Sequence, residues 1–306
     1  MSLSRPVLKT LCLIGAGLIG SSIARAARET GAAEEVRLWD REEAVRGRAA
    51  ELALGRVAET VEDAVSGADL VILCTPVGVL GEVTKVIAPH LKPGAILSDV
   101  GSVKAAAARA MAVHCPEQVH LIPAHPIAGT ERSGPEAGFA TLFRDAWLIL
   151  TPIPGEKASG DAISRLGDFW QQLGARVETM DPERHDLVLA VTSHLPHLIA
   201  YNIVSTAYDL EEVTEGEVVK YSAGGFRDFT RIAASDPTMW RDIFLGNKTA
   251  VLEILGRFTE DLIALQRAIR WDDGETLFRE FTRARGIRKA ILEAGLDTDK
   301  PNFGRD

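Results

Sequence analysis

Through its first 180 residues the chain alternates short apolar runs with Ala-, Glu- and Arg-rich stretches of helical pattern. Residues 10–14, 35–40, 69–74, 95–99, 119–123, 147–151 and 176–180 read as strands, and 21–30, 79–90 and 104–114 as helices between them. Strands separated by helix-length segments imply βαβ units and a mainly parallel sheet with right-handed crossovers. The pattern changes at Asp181-Pro182-Glu183, where an Asp cap before a proline and an acid start a helix. No strand pattern follows. Gly224-Gly225 marks a break between helices, Ser235-Asp236-Pro237 opens a helical region reaching about Trp271, and residues 273–293 give another helix. The expected fold is an α/β domain over 1–180 followed by an all-α domain over 181–306.

Punctuation at the strand ends carries the first chemistry. Leu11 to Gly20 is a strand running into Gly15-Ala16-Gly17-Leu18-Ile19-Gly20 and then a helix. Gly15 permits the tight turn, Gly17 lets backbone approach a pyrophosphate, and Gly20 lets helix pack closely on strand. The N–H groups of Leu18 and Ile19 open the helix, where unpaired donors favour phosphate. Asp40 closes the next strand about twenty residues on, where a carboxylate can accept from a ribose 2′-hydroxyl. This is the fingerprint of a Rossmann-type, NAD-binding domain. Asp40 disfavours a 2′-phosphate, although neighbouring Arg41 could offset it. Thr75-Pro76 and the segment from Asp99 to Lys104, with Ser102, end two further strands at the same edge.

Composition narrows the partners. The chain has 306 residues, 46% hydrophobic and 25% charged, with a net charge of -9. Its cations are spread out, which argues against nucleic acid or an anionic membrane while leaving room for a small anionic substrate. Three cysteines without CxxC or zinc spacing imply a reducing compartment and no metal. Without an apolar signal core, and with no run near the roughly 18 apolar residues of a membrane span, the expectation is a cytoplasmic protein.

Two segments carry candidate substrate chemistry. His125 lies in a predicted loop directly after the 119–123 strand, held between Ala124 and Pro126. Loops at strand ends carry function, and imidazole suits proton transfer near neutral pH. The bland alternative is an ordinary loop histidine. On the helix from Asp181, a spacing of 100° per residue puts Asp186, Ala190, Ser193 and His197 in one polar stripe. Leu187, Val188, Val191, Leu195 and Ile199 should then be buried, and Pro196 should kink the helix. A satisfied core network would explain that stripe equally well. His194 and His197 lack a third metal ligand. Downstream, Asp228 and Arg231 are three apart, so the acid can orient a guanidinium suited to a carboxylate. Arg227 competes for that role, and a plain surface ion pair is the alternative.

Together these segments resemble the prephenate/arogenate dehydrogenase family of tyrosine biosynthesis. The resemblance rests on GAGLIGSSIA (15–24), SDVGSVK (98–104), HPIAGTERSGPEAG (125–138), HDLVLAVTSHLPH (185–197) and GGFRDFTRIAASDPTMW (224–240). It spans nearly the whole chain in order. It implies a Rossmann domain and a helical domain that forms a homodimer, with the active site in the cleft between them. His125 matches the histidine that bonds the ring hydroxyl, and Ser102 the serine near the nicotinamide. Arg231 matches the carboxylate clamp with Asp228 beside it. Ser193 and His197 match polar residues on the substrate side, and Thr130 and Glu131 the pocket mouth. The implied reaction is oxidation of prephenate by NAD with loss of CO2, or of L-arogenate in the alternative.

A β-hydroxyacid dehydrogenase also joins such domains but uses a lysine on the first interdomain helix. This chain has none between Lys157 and Lys220. A cofactor-sensing binding protein without turnover could dispense with His125.

Overall fold

The computed structural model describes residues 6–130, 132–153, 158–210 and 224–293. Six parallel strands form the main sheet: β1 (Leu8–Ile14), β2 (Ala33–Trp39), β3 (Arg56–Val57), β4 (Leu70–Leu73), β5 (Ile96–Asp99) and β6 (His120–Leu121). Their order is β3-β2-β1-β4-β5-β6, so the winding reverses between β1 and β4, where doubly wound sheets open a crevice at their carboxyl ends. A smaller sheet places β8 (Trp147–Leu150) between antiparallel β7 (Ala124–Pro126) and parallel β9 (Arg176–Thr179).

Side-chain alternation sends each strand's residues to two cores. Leu11, Leu13, Leu70 and Ile72 pack with Ile23, Ala24 and Ala27 of α1 (Leu18–Thr30). Cys12, Ile14, Val71 and Leu73 pack with Leu80 and Ile87 of α4 (Leu80–Ile87) and Ala107 and Met111 of α5 (Ala105–Ala112). Burial on both faces is why these strands read as near-continuous apolar runs. Between them lie α2 (Glu43–Glu51) and α3 (Val61–Val65); α6 (Gly160–Gln172) contributes Leu166, Phe169 and Trp170 to the first core.

The helical part begins with α7 (Pro182–Leu189), whose Asp181 cap accepts from the N–H groups of Glu183 and Arg184, as its sequence requires. A π-turn over Ala190–His194 then leads into α8 (Leu195–Asp209). Pro196 has no N–H to donate, which favours such a re-routed turn. After it come α9 (Gly224–Thr230), which the two glycines open, α10 (Pro237–Gly246), α11 (Lys248–Arg270) and α12 (Gly274–Glu293). Asn247 interrupts the long helix expected from Pro237 to Trp271. By compactness the chain divides into Met1–Val251 and Leu252–Asp306.

The Pro182–Asp209 stretch inverts its expected burial. Leu187, Val188 and Val191 are exposed, whereas His185, Asp186 and His194 are buried. Its length and hydropathy alone would suit a membrane span. Its polar groups instead bond to the loop after β5 and to Asn247, which makes it part of the globular unit.

Candidate active site

The glycine turn builds the first half of the site. Gly15 has φ +102°, and a Cβ there would lie 2.6 Å from the Cys74 carbonyl oxygen; one at Gly20 would lie 2.0 Å from that of Gly15. A Cβ on Gly17 would meet open space, so its bare backbone faces a cavity rather than packed protein. Gly15, Gly17, Asp40, Arg41, Thr75 and Pro76 line one cavity of about 690 Å³. Leu18 and Ile19 start α1 beside it. The Asp40 carboxylate accepts from the N–H of Ala16 (2.9 Å) and of Glu42 (3.0 Å), which fixes its direction. These residues fit a dinucleotide. Thr238, Arg241 and Asp242 of α10 line the same cavity. Sequence reading missed them, because their motif gave no sign that α10 reaches the glycine turn.

His125 belongs to β7, paired with Ile149, and not to a loop. The 119–123 run ends early as a two-residue strand, and the chain turns into the second sheet before reaching the histidine. The residue is 8% exposed. Its Nδ1 lies 2.9 Å from His185 Nε2, and His185 Nδ1 lies 2.9 Å from Asp186 Oδ1. His125 Nε2 has no hydrogen-bond partner among the described residues, and it is not one of the polar atoms sealed from solvent. Burial holds the His125 ring well below the usual histidine range, with His185, Lys104 and His194 adding to the effect. It is therefore neutral at pH 7.

Lys104 is sealed inside, paired with Asp99 and donating to the Ala124 carbonyl at 2.7 Å. It thus ties the end of β5 to the residue preceding His125. Asp186 accepts from the N–H groups of Lys104 (2.8 Å) and Ala105 (2.9 Å), at the start of α5. Asn247 Nδ2 donates to the Asp186 carbonyl (2.7 Å) and reaches His194 Nδ1 at 3.1 Å. Burial pushes His194 down to about 4, against opposing pulls from Asp186 and the Ser102 backbone. The expected Asp186–Ala190–Ser193–His197 stripe omitted His185 and His194. The π-turn takes up an extra residue, so His194 comes round to share Asn247 with Asp186. Asn247 carried no motif signal.

On α8, His197 stacks on Trp240 with ring centroids 3.7 Å apart. Its Nδ1 donates to the Ser193 carbonyl at 2.8 Å, which leaves Nε2 as an acceptor. Ser102 and Ser193 are half-buried. Tyr201 on α8 donates to the Ser235 carbonyl at 2.6 Å, pinning the segment that begins with Arg231 to the helix carrying His197. Asp228, Arg231 and Thr130 are exposed, and the described contacts do not join them to the His125 cluster. Glu131 lies outside the described residues.

Residues 23–179 match the family described as prephenate dehydrogenase, nucleotide-binding domain, and 181–283 the prephenate dehydrogenase dimerization domain. The chain is 44% identical to the cyclohexadienyl dehydrogenase of Zymomonas mobilis over 93% of its length and 97% of that protein. It is 35% identical to the prephenate dehydrogenase of Bacillus subtilis, covering 92% and 76% of the two chains. The crystal structure of Aquifex aeolicus prephenate dehydrogenase with hydroxyphenyl propionate and NAD+ superposes with a TM-score of 0.86 at 33% identity, covering 95% of this chain and all of that one. Matches this extensive, on a chain with this glycine turn and buried histidine pair, place it in the prephenate dehydrogenase family of NAD-dependent oxidoreductases.

Proposed function

We propose that the chain oxidises prephenate to 4-hydroxyphenylpyruvate and CO2, and that His125 is the base. One observation carries this reading above the others: a neutral buried imidazole whose Nδ1 is occupied and whose Nε2 is left for a ligand. Bound NAD supplies the hydride acceptor. His125 Nε2 takes the hydroxyl proton as the carbinol carbon loses hydride, a contribution of roughly 10²–10⁴ in rate. Ser102 holds the same hydroxyl. Arg231 takes a substrate carboxylate, with Asp228 as its neighbour in the motif, and Ser193, His197 and Thr130 are further substrate-side residues. The bond to the ring carboxylate then breaks, and its electrons complete the aromatic ring. No residue is needed for that step.

Residues 181–306 serve substrate binding and homodimer formation in this reading. Exposed Leu187, Val188 and Val191 support the second role, as do Phe278, Phe281 and Ile287 on α12. The free thiols suit a cytoplasmic enzyme.

Absorbance of NADH after mixing the protein with NAD and either prephenate or L-arogenate tests the assignment. Prephenate should give the larger kcat/KM. A preference for arogenate overturns the substrate, and cofactor binding without turnover of either overturns the enzyme reading. Arg231→Ala should raise KM about tenfold to a hundredfold, the effect of losing a charged hydrogen bond. An unchanged KM would move the clamp to Arg227.

A further inference from the structure

His125, His185 and Asp186 stand in line, joined by two contacts of 2.9 Å. Asp186 is the fixed end. Two backbone N–H groups at the start of α5 meet its carboxylate, at the positive end of that helix. A carboxylate only accepts, so His185 Nδ1 carries the proton between them. With one proton on that ring, His185 Nε2 is a lone pair and accepts from His125 Nδ1–H. The proton is thereby excluded from His125 Nε2, the atom that must be bare in a base.

We propose that His185 and Asp186 are positioning residues that hold His125 in its Nδ1–H tautomer and receive the proton it gives up. This rests on the reading of His125 as the base. In the step itself the substrate O–H bond breaks and a new bond forms to His125 Nε2. The Nδ1–H bond of His125 breaks as a bond forms to His185 Nε2, and the positive charge comes to rest on His185 against the Asp186 carboxylate. The other groups around His125 favour the same outcome. Lys104, paired with Asp99 in the β5–α5 segment, and His194 on the π-turn both disfavour a cation on His125, while Asp186 draws it one ring further.

Nitrogen NMR of the ring atoms tests the tautomer without reference to turnover, with His125→Asn used to assign the resonances. The wild type should show His125 protonated at Nδ1 and bare at Nε2 from pH 8 to pH 6. In Asp186→Asn the amide oxygen can take the place of Oδ1, where it accepts from Lys104 N–H and His185 Nδ1–H, so the tautomer should persist while the negative charge that stabilises a protonated His185 is lost. Kinetics supply the second arm. Asp186→Asn and His185→Leu should lose roughly 10²–10⁴ in kcat at unchanged NAD affinity. His185→Gln, whose side-chain oxygen can still accept from Nδ1–H, should keep the tautomer and recover part of that loss. A wild-type His125 protonated at Nε2 overturns the proposal, as does equal activity of the Leu and Gln variants or a kcat indifferent to Asp186→Asn. The predicted tautomer without prephenate turnover would instead remove the functional reading and leave the relay standing.

Discussion

Cofactor choice is decided at single residues. Arg41 raised the question of a 2′-phosphate, but its side chain is 85% exposed and its Nε donates to Glu42 at 3.1 Å. A phosphate there would meet the Asp40 and Glu42 carboxylates in the same cavity. NAD should therefore exceed NADP in kcat/KM by at least about a hundredfold, the size of an unfavourable charge contact of a few kcal/mol. Arg41→Ala should leave that ratio within about twofold, and Asp40→Asn should narrow it. A wild type that uses both cofactors equally would contradict this. The place of Asp40 in the cavity beside the glycine turn was legible because the fingerprint fixes how far along the chain the next strand ends. The contact of His185 with His125 was not, because the two are 60 residues apart and meet only as two elements pack.

The elements separate structural from functional glycines. Gly20→Ala places a methyl 2.0 Å from a backbone oxygen and should destabilise the fold by about 1–3 kcal/mol or more. Gly17→Ala meets nothing, so its melting temperature should match the wild type while its NAD dissociation constant rises at least about tenfold. Equal loss of stability in the two variants, by thermal melting, would contradict the division. Most strands were readable because both-face burial leaves uninterrupted apolar runs. The exceptions are short: β3 and β7 have two and three residues, too few for a pattern. Misplacing His125 in a loop follows directly from missing β7. The π-turn was invisible for a related reason, since a sequence projected at 100° per residue assumes the regularity that Pro196 disrupts.

For the whole molecule, buried histidines link stability to pH. His125, His194 and His197 all lie below the ordinary histidine value, each chiefly through burial. Between their folded values and about 6.5 the unfolded chain binds more protons, so stability rises with pH across that window and falls as pH drops through it. For His194, pushed to about 4, the full cost is on the order of 3 kcal/mol below that pH. The melting temperature should decline steadily from pH 7 to pH 4.5 in the wild type and less steeply in His194→Gln. A flat profile would contradict the burial argument. The division into a nucleotide-binding sheet and a helical remainder was legible from the loss of strand pattern at Asp181. The polar nest joining Asp186, Lys104 and Asn247 was not, because side chains distant in sequence meet there only after packing. In the proposed mechanism the chemistry converges on the open nitrogen of His125. The most direct measurement is steady-state turnover of prephenate by His125→Asn alongside calorimetric NAD binding. A fall in kcat of at least about a hundredfold with an unaltered NAD dissociation constant is the expected result. Turnover equal to the wild type would show that some other group takes the proton.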